Sequence, residues 1–499
     1  MTVRLQTFTL RSPGGLGLNA EDIGGAEDPR WALQLDNAAW DSQGRVAARK
    51  GWNGLKTSGG PTTADIESVF EYIGSATSSE IISTGDASIF TGTGAMSDIT
   101  GTLTPSNNDW AFVNFNGKCI GFQSGETMIV YTGTGNFANV VASAGTLPSG
   151  NVILSAWGRL WCSDATESTI KWSGLLDETD WNTAGSGSID LANVWPDGLD
   201  SIVALAGWQN RLIIFGKRSI LIYTGADVTP ASNLALEDIL TSSGAVSRDC
   251  VQAVGNDLLY LWIDGVHSLA RAIEFSNLPQ RLLSRSVRTR LSEDIALSLD
   301  TPSTIKSAYS AKEALYILRM GSSYWAFDAR QTDQGQLRAS VWFGIGWLDA
   351  HGAEDGTLYL GEPAEVGEYT GYLDDAATYQ FRYLSSWQGE DIELFPKSCR
   401  AVVVTEGAYS IALRWAFDYM KDEFSDVVTL SDTRTVAEWG VGEWNIAEWS
   451  GATTQIATLN YNMAGAGSRF QFGMSVTING SSFGIQALDV FTKTGRVAA

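Results

Sequence analysis

The chain has 499 residues, a formal net charge of −23 and a sequence pI near 4.4. That length exceeds what one hydrophobic core organises, so two or more domains are expected. The acidity argues against a groove that wraps nucleic acid, yet it suits a surface past which DNA slides without being held.

The N-terminal stretch MTVRLQTFTLRSPGG carries an early Arg and no apolar core segment, so no signal peptide is read. No apolar run is long enough to span a membrane, and synthesis and folding in a cytoplasm are expected. Residues 1–52 read as an N-terminal extension and hairpin. A Gly-rich entry at 13–19 precedes a strand marked by alternating Leu33 and Leu35, a turn at 42–44, and a return strand at 45–50. The GxG spacings here lack a surrounding strand–turn–helix, so they do not read as a phosphate loop. Trp31 is a candidate interface residue.

Abundant Gly and aromatic residues, sparse Pro and many short apolar runs give an all-β fold class. The clearest unit is 201–225, SIVALAGWQNRLIIFGKRSILIYTG, which reads as strands at 202–205, 211–215 and 219–223. Such a meander cannot bury both faces alone. Similar units begin at 66, 110, 152, 251, 305 and 340, a spacing of roughly 35–55 residues that matches four-stranded propeller blades. Tyr131-Thr132-Gly133, Tyr223-Thr224-Gly225 and Tyr369-Thr370-Gly371 echo one another. Residues 53–375 therefore read as a β-propeller of about six or seven blades, with a serial β-sandwich as the competing arrangement.

Within that span LPQRLLSRSVRTRLSED holds the one basic cluster, Arg281, Arg285, Arg288 and Arg290. With Leu282, Leu283, Val287 and Leu291 it reads as a short helix or an extended excursion. It either contacts DNA phosphate or an acidic partner, or pairs with the chain's own carboxylates. Residues 376–499 read as a separate antiparallel β-sandwich-like domain, with 470–478 as its cleanest alternating strand. Inside it Glu-Trp recurs three times, placing Trp439, Trp444 and Trp449 at a period that fits neither helix nor strand. A looped segment with indoles at an interface is expected.

Chemistry is poorly marked. The four cysteines, Cys119, Cys162, Cys250 and Cys399, are widely spaced and read as buried reduced thiols. His267 and His351 are the only histidines, too few for a triad or a His-rich zinc site. Carboxylates are too numerous for any pair to stand out as glycosidase-like. Asp328, Asp349, Asp374 and Asp375 read as acidic turn residues, with calcium unsupported. Trp157, Trp208, Trp262, Trp342 and Trp347 read as packing between sheets before they read as sugar platforms.

Four features carry a resemblance: Leu18-Asn19 and PRWALQLDNA (29–38) ahead of GRVAARKGW (44–52); GAVS (244–247) through VGNDLLYL (254–261) to GVHSL (265–269); the Glu-Trp series; and TGR (494–496). In these the chain resembles the tail nozzle proteins of short-tailed bacteriophages, also called packaged-DNA stabilisation proteins. The resemblance implies a structural virion component with no enzymatic activity and no cofactor. It implies a homohexameric ring below the head-to-tail adaptor that continues and closes the DNA channel. Distal fibres, spikes or a needle would be anchored to it, and double-stranded DNA would pass through transiently. The alternative from the residues alone is a carbohydrate-binding or glycoside-hydrolysing β-propeller.

Overall fold

The computed structural model describes residues 6–21, 28–75, 78–196, 198–274, 282–330, 335–389, 392–420, 424–431 and 455–497. The chain divides into two compact units. One comprises Gly54–Tyr324 and Gly346–Tyr369, and the other Met1–Asn53, Trp325–Ile345 and Thr370–Ala499. No helix among the described residues is long and apolar enough to cross a membrane.

In the first unit, strands such as Arg211–Phe215 (RLIIF) and Ser219–Thr224 (SILIYT) are buried along nearly their whole length. Apolar side chains on both faces of a strand require cover on both sides of its sheet. That cover comes from repetition. Among the described residues, seven sets of mainly antiparallel strands follow one another, six as small separate sheets and the sixth in chain order as the start of a ten-stranded sheet; their first strands are Ser68–Ser75, Ala111–Phe115, Ile153–Ala156, Ala204–Trp208, Val251–Val254, Ile305–Ser310 and Asp349–Gly352. Each first strand lies beside that of the next sheet; between the fourth and fifth the contact is made by the 3₁₀ turn Arg248–Cys250. The seventh lies beside both the sixth and the first, so the series closes on itself. Leu55 N donates to Val366 O and joins the start of the unit to its last sheet. The cores sit between successive sheets. Phe115, Phe122, Leu160 and Cys162 form one, and Trp161, Trp172, Leu212 and Ile214 the next. Ile66, Val69 and Phe90 pack with Val366 across the closure. This is the packing of a β-propeller. All four cysteines are buried and free.

The sequence reading places six of the seven first strands. Within 201–225 the second strand matches, the third runs one residue longer, and the first begins at Ala204 rather than 202. A fourth strand, Ala235–Thr241, is exposed along most of its length and lies outside the three strands read from the sequence. The seventh candidate, at 340–343, is corrected. Arg338–Trp342 belongs to the other unit and runs parallel to Trp31–Asp36, with Asp36 opposite Val341. The seventh first strand is Asp349–Gly352 (DAHG), too short and polar to register as an apolar run. The third strand expected over 266–270 is Gly265–Ser268, after which the chain turns into the helix Leu269–Glu274. The Tyr-Thr-Gly echo has a backbone basis: Gly133, Gly225 and Gly371 have φ of +85°, +81° and +65°, left-handed values that favour glycine after a strand.

Among the described residues, the strands of the second unit fall in two sheets. In one, Gln455–Asn462, Ile392–Thr405, Phe483–Val497, Val46–Ala48 and Ala38–Trp40 lie in that order, and Gln6–Arg11 also pairs with Phe483–Val497. In the other, Trp31–Asp36, Tyr379–Ser385, Phe470–Ile478, Tyr409–Phe417 and Phe424–Leu430 lie side by side. Aromatic rings cross from sheet to sheet. Phe8 meets Phe470 and Phe472 at 5.6 and 6.2 Å, and Phe483 meets Phe381 and Tyr409 at 5.5 and 5.7 Å. The strand Phe470–Ile478 is central and buried on both faces for most of its length, rather than half-buried as its alternation suggests. The sequence reading separates 1–52 from 376–499 and places 325–345 within the repeat. Contacts instead group all three segments, because strand pairing joins residues more than 300 positions apart.

Arg49 ties these segments together. Its guanidinium is fully buried and donates to both carboxylate oxygens of Asp374 at 2.8 and 2.7 Å, to Asn37 Oδ1 at 3.1 Å and to Phe343 O at 3.2 Å. It lies 4.2 Å from the ring centre of Tyr379 and 5.6 Å from that of Trp342. Removing one member of a buried pair leaves the other charge uncompensated. Arg49→Met is therefore expected to destabilise this unit by about 3–5 kcal/mol, and Arg49→Met with Asp374→Leu to recover part of the loss. Urea unfolding followed by tryptophan fluorescence measures both.

Candidate functional site at the centre of the strand ring

All seven first strands or their lead-in residues line one cavity of about 240 Å³. Propeller first strands converge on an axis, so residues distant in sequence meet there. Asp109 precedes the second, Arg248 and Asp249 lead into the fifth, Lys306 lies in the sixth, and Asp349 and His351 lie in the seventh. Phe70, Trp110 and Phe112 supply aromatic wall. A smaller cavity of about 120 Å³ shares Lys306 with it and is lined also by Asp109, Glu67, Arg319 and Leu348.

The charges form a connected cluster. Arg248 Nη2 donates to Asp109 Oδ1 at 2.7 Å and its Nε to Asp249 Oδ1 at 2.9 Å. Lys306 Nζ donates to the same two carboxylates at 2.5 and 2.8 Å. Burial opposes ionisation of these groups, but the opposite charges override it. The Asp249 carboxyl is held well below its usual range by Arg248 and Lys306, while Arg248 and Lys306 are raised. Asp349 differs. Its Oδ2 accepts from Val69 N at 2.7 Å, and it has no ion pair within 4 Å among the described residues. Burial, reinforced by the nearby Asp249 and Asp109 and opposed by Lys306, pushes it up to about 6. His351 lies 5.2 Å from Phe70 and is pushed down to about 4 by burial, against the pull of Glu71.

None of these residues belongs to the candidate interface set read from the sequence. Arg281 and the indoles of Trp439, Trp444 and Trp449 lie outside the described residues. Arg285 and Arg288 are exposed and Arg290 half-buried, on the turn Arg285–Val287 and the helix Arg288–Ser298. Leu282, Leu283, Val287 and Leu291 anchor that excursion, all buried. Leu283 N donates to Val266 O, in the place of an outer fourth strand. Arg288 adds to His267 in lowering the Asp264 carboxyl, against burial. Trp31 is buried in its strand. His267 is fully buried, with Nε2 2.6 Å from Asp264 Oδ1.

Three of the four acids read as turn residues are placed otherwise. Asp328 is buried between Arg330 and Arg338, Asp374 is paired with Arg49, and Asp349 lies in the cavity wall. No group of three metal-ligating side chains occurs among the described residues. Of the tryptophans, Trp208 and Trp262 donate across neighbouring sheets to Asn256 O and Lys217 O, Trp157 meets Trp161 edge-on, and Trp342 and Trp347 are buried.

No family model matches the chain, and no curated protein matches it. Among solved structures, similarity is found to virginiamycin B lyase from Staphylococcus aureus (12% identity, TM-score 0.40, 62% of this chain and 96% of that one). It is found also to the WD40 β-propeller domain of Doa1 (8%, 0.40, 64% and 96%). PorZ of the type-IX secretion system of Porphyromonas gingivalis is a third (14%, 0.38, 63% and 37%). At such scores these likenesses carry no functional argument.

The Asp349 carboxyl binds its proton more tightly in the folded chain than in the unfolded one. Its contribution to stability is therefore complete below about pH 4 and lost as pH rises through about 6. Asp349→Asn is expected to stabilise the protein by about 1–3 kcal/mol at pH 7.5 and by little at pH 4. Paired melts of the two proteins across that range read the difference.

Proposed function

We propose that the chain is a structural subunit of a short virus tail, present in the virion and without a catalytic reaction. It acts as a nozzle protein whose six copies ring the DNA path below a head-to-tail adaptor. That ring continues and closes the channel and anchors distal fibres, spikes or a needle. The seven small sheets are read as seven propeller blades, and the two facing sheets as the sandwich-like, channel-forming domain.

The observation that carries this reading is the chain path. Both chain ends and residues 325–345 share one unit, and the propeller is formed by the segments between them. The end-built unit is framed by two long paired strands, Ile392–Thr405 and Phe483–Val497. In sequence, the propeller segments are insertions between those that build this unit. The Glu-Trp segment, between strands Phe424–Leu430 and Gln455–Asn462, and the arginines at 281–290 are assigned to contacts with neighbouring subunits or tail components. The strong negative charge favours DNA sliding.

A second reading, a propeller that binds or hydrolyses carbohydrate, is favoured by the cavity, where carboxylates and aromatic rings share one wall. Mass spectrometry of purified particles, with negative-stain microscopy of the chain mixed with its adaptor, separates the two. The nozzle reading expects the chain in particles at ring stoichiometry. It fails if particles lack the chain and the protein instead turns over or retains glycans in a way that Asp349→Ala abolishes.

A further inference from the structure

We propose that the cavity enclosed by the seven first strands is a binding site for a small organic cation, an alkylammonium or guanidinium group, held by Asp349 against the rings of Phe70 and Phe112. The inference rests on the cavity itself and on neither reading of the whole chain.

Charge count comes first. Arg248 and Lys306 are matched by Asp109 and Asp249, to which they donate at 2.5–3.1 Å. Asp349 is a third carboxylate, drawn on by Lys306 but in no ion pair among the described residues. Including Glu67 and Arg319 from the adjoining cavity leaves the same excess of one negative charge. An anion would meet cations already engaged and a carboxylate facing it. A cation would meet Asp349, which lines this cavity and, among the described residues, accepts a hydrogen bond only from a backbone amide, Val69 N on Oδ2.

The wall chemistry narrows the class. Phe70 and Phe112 lie 6.1 Å apart, with Trp110 stacked on Phe112 and the His351 ring 5.2 Å from Phe70. Aromatic faces attract ammonium and guanidinium groups and offer less to a strongly hydrated metal ion. At 240 Å³ the space holds several waters or one such group with a short alkyl stem. The groups facing Asp349 are Arg248 and Asp249 from the 3₁₀ turn, Lys306 from the sixth first strand, Asp109 from the lead-in to the second, and His351 from its own strand, with Glu71 behind His351. Ionised Asp349 is needed for the contact. Binding is therefore expected to weaken as pH falls through about 6, by up to about tenfold per unit below it.

Calorimetric titration of the full chain with ethylammonium and methylguanidinium chlorides, to about 50 mM at pH 7.5, tests the site. Saturable binding is expected, at least about tenfold weaker in Asp349→Asn and retained in Asp349→Glu. A loss of about threefold is expected in Phe70→Leu. Methylurea, glucose and potassium chloride are the contrast probes. The proposal is overturned if no organic cation saturates, if Asp349→Asn binds as well as the parent, or if methylurea, glucose or potassium binds as tightly as methylguanidinium. Glucose binding alone would instead favour the carbohydrate reading.

Discussion

A short sheet with two apolar faces has to be covered twice, and another sheet of the same kind covers only one side of it. That constraint organises the propeller. Sheet follows sheet until the last covers the first, and each core belongs to two neighbours: Phe122 with Leu160, Trp172 with Leu212, Phe90 with Val366. Closure also relieves the edge problem of small β-sheets, because what remains at the rim is short. The fourth strand Ala235–Thr241 shows the other side of the rule: at the rim, a strand pairs with one neighbour and stays mostly exposed.

Convergence at the axis has an electrostatic cost that the two units meet differently. In the end-built unit Arg49 is balanced by one carboxylate, capped by backbone oxygens and flanked by aromatic rings. In the propeller, two cations and two carboxylates share donors and acceptors, and Asp349 stands outside the pairing. A carboxylate drawn out of water and outside the ion pairs resists ionisation, which is why Asp349 departs upward while Asp249, in the same cavity wall, departs downward.

The repeat was legible because first strands such as Val251–Val254 and second strands such as Arg211–Phe215 are apolar runs bounded by Gly and Asn. The strand at 338–342 follows the same rule: an apolar run says that a strand is buried, not what place it takes in its sheet, and this one lies beside Ser323–Asp328 rather than opening a set of its own. Asp349–Gly352 was missed because its neighbours, not its composition, make it a strand. The cavity was illegible for a related cause. Asp109, Asp249, Lys306 and Asp349 are separated by dozens of residues or more, and no local spacing joins them. A signal did exist, since each charge falls at or near the start of a repeat unit.

The hydrogen bond from Leu55 N to Val366 O has a consequence in time. A ribosome makes residue 55 long before residue 366, at about 5–20 residues per second. For tens of seconds the first sheet waits with Ile66, Val69 and Phe90 lacking the last member of their core. During that interval an incomplete series of sheets ends in a face as apolar as its interior, able to take up a sheet from another nascent chain. The closing pair is thus the moment at which the chain stops being a template for its neighbours.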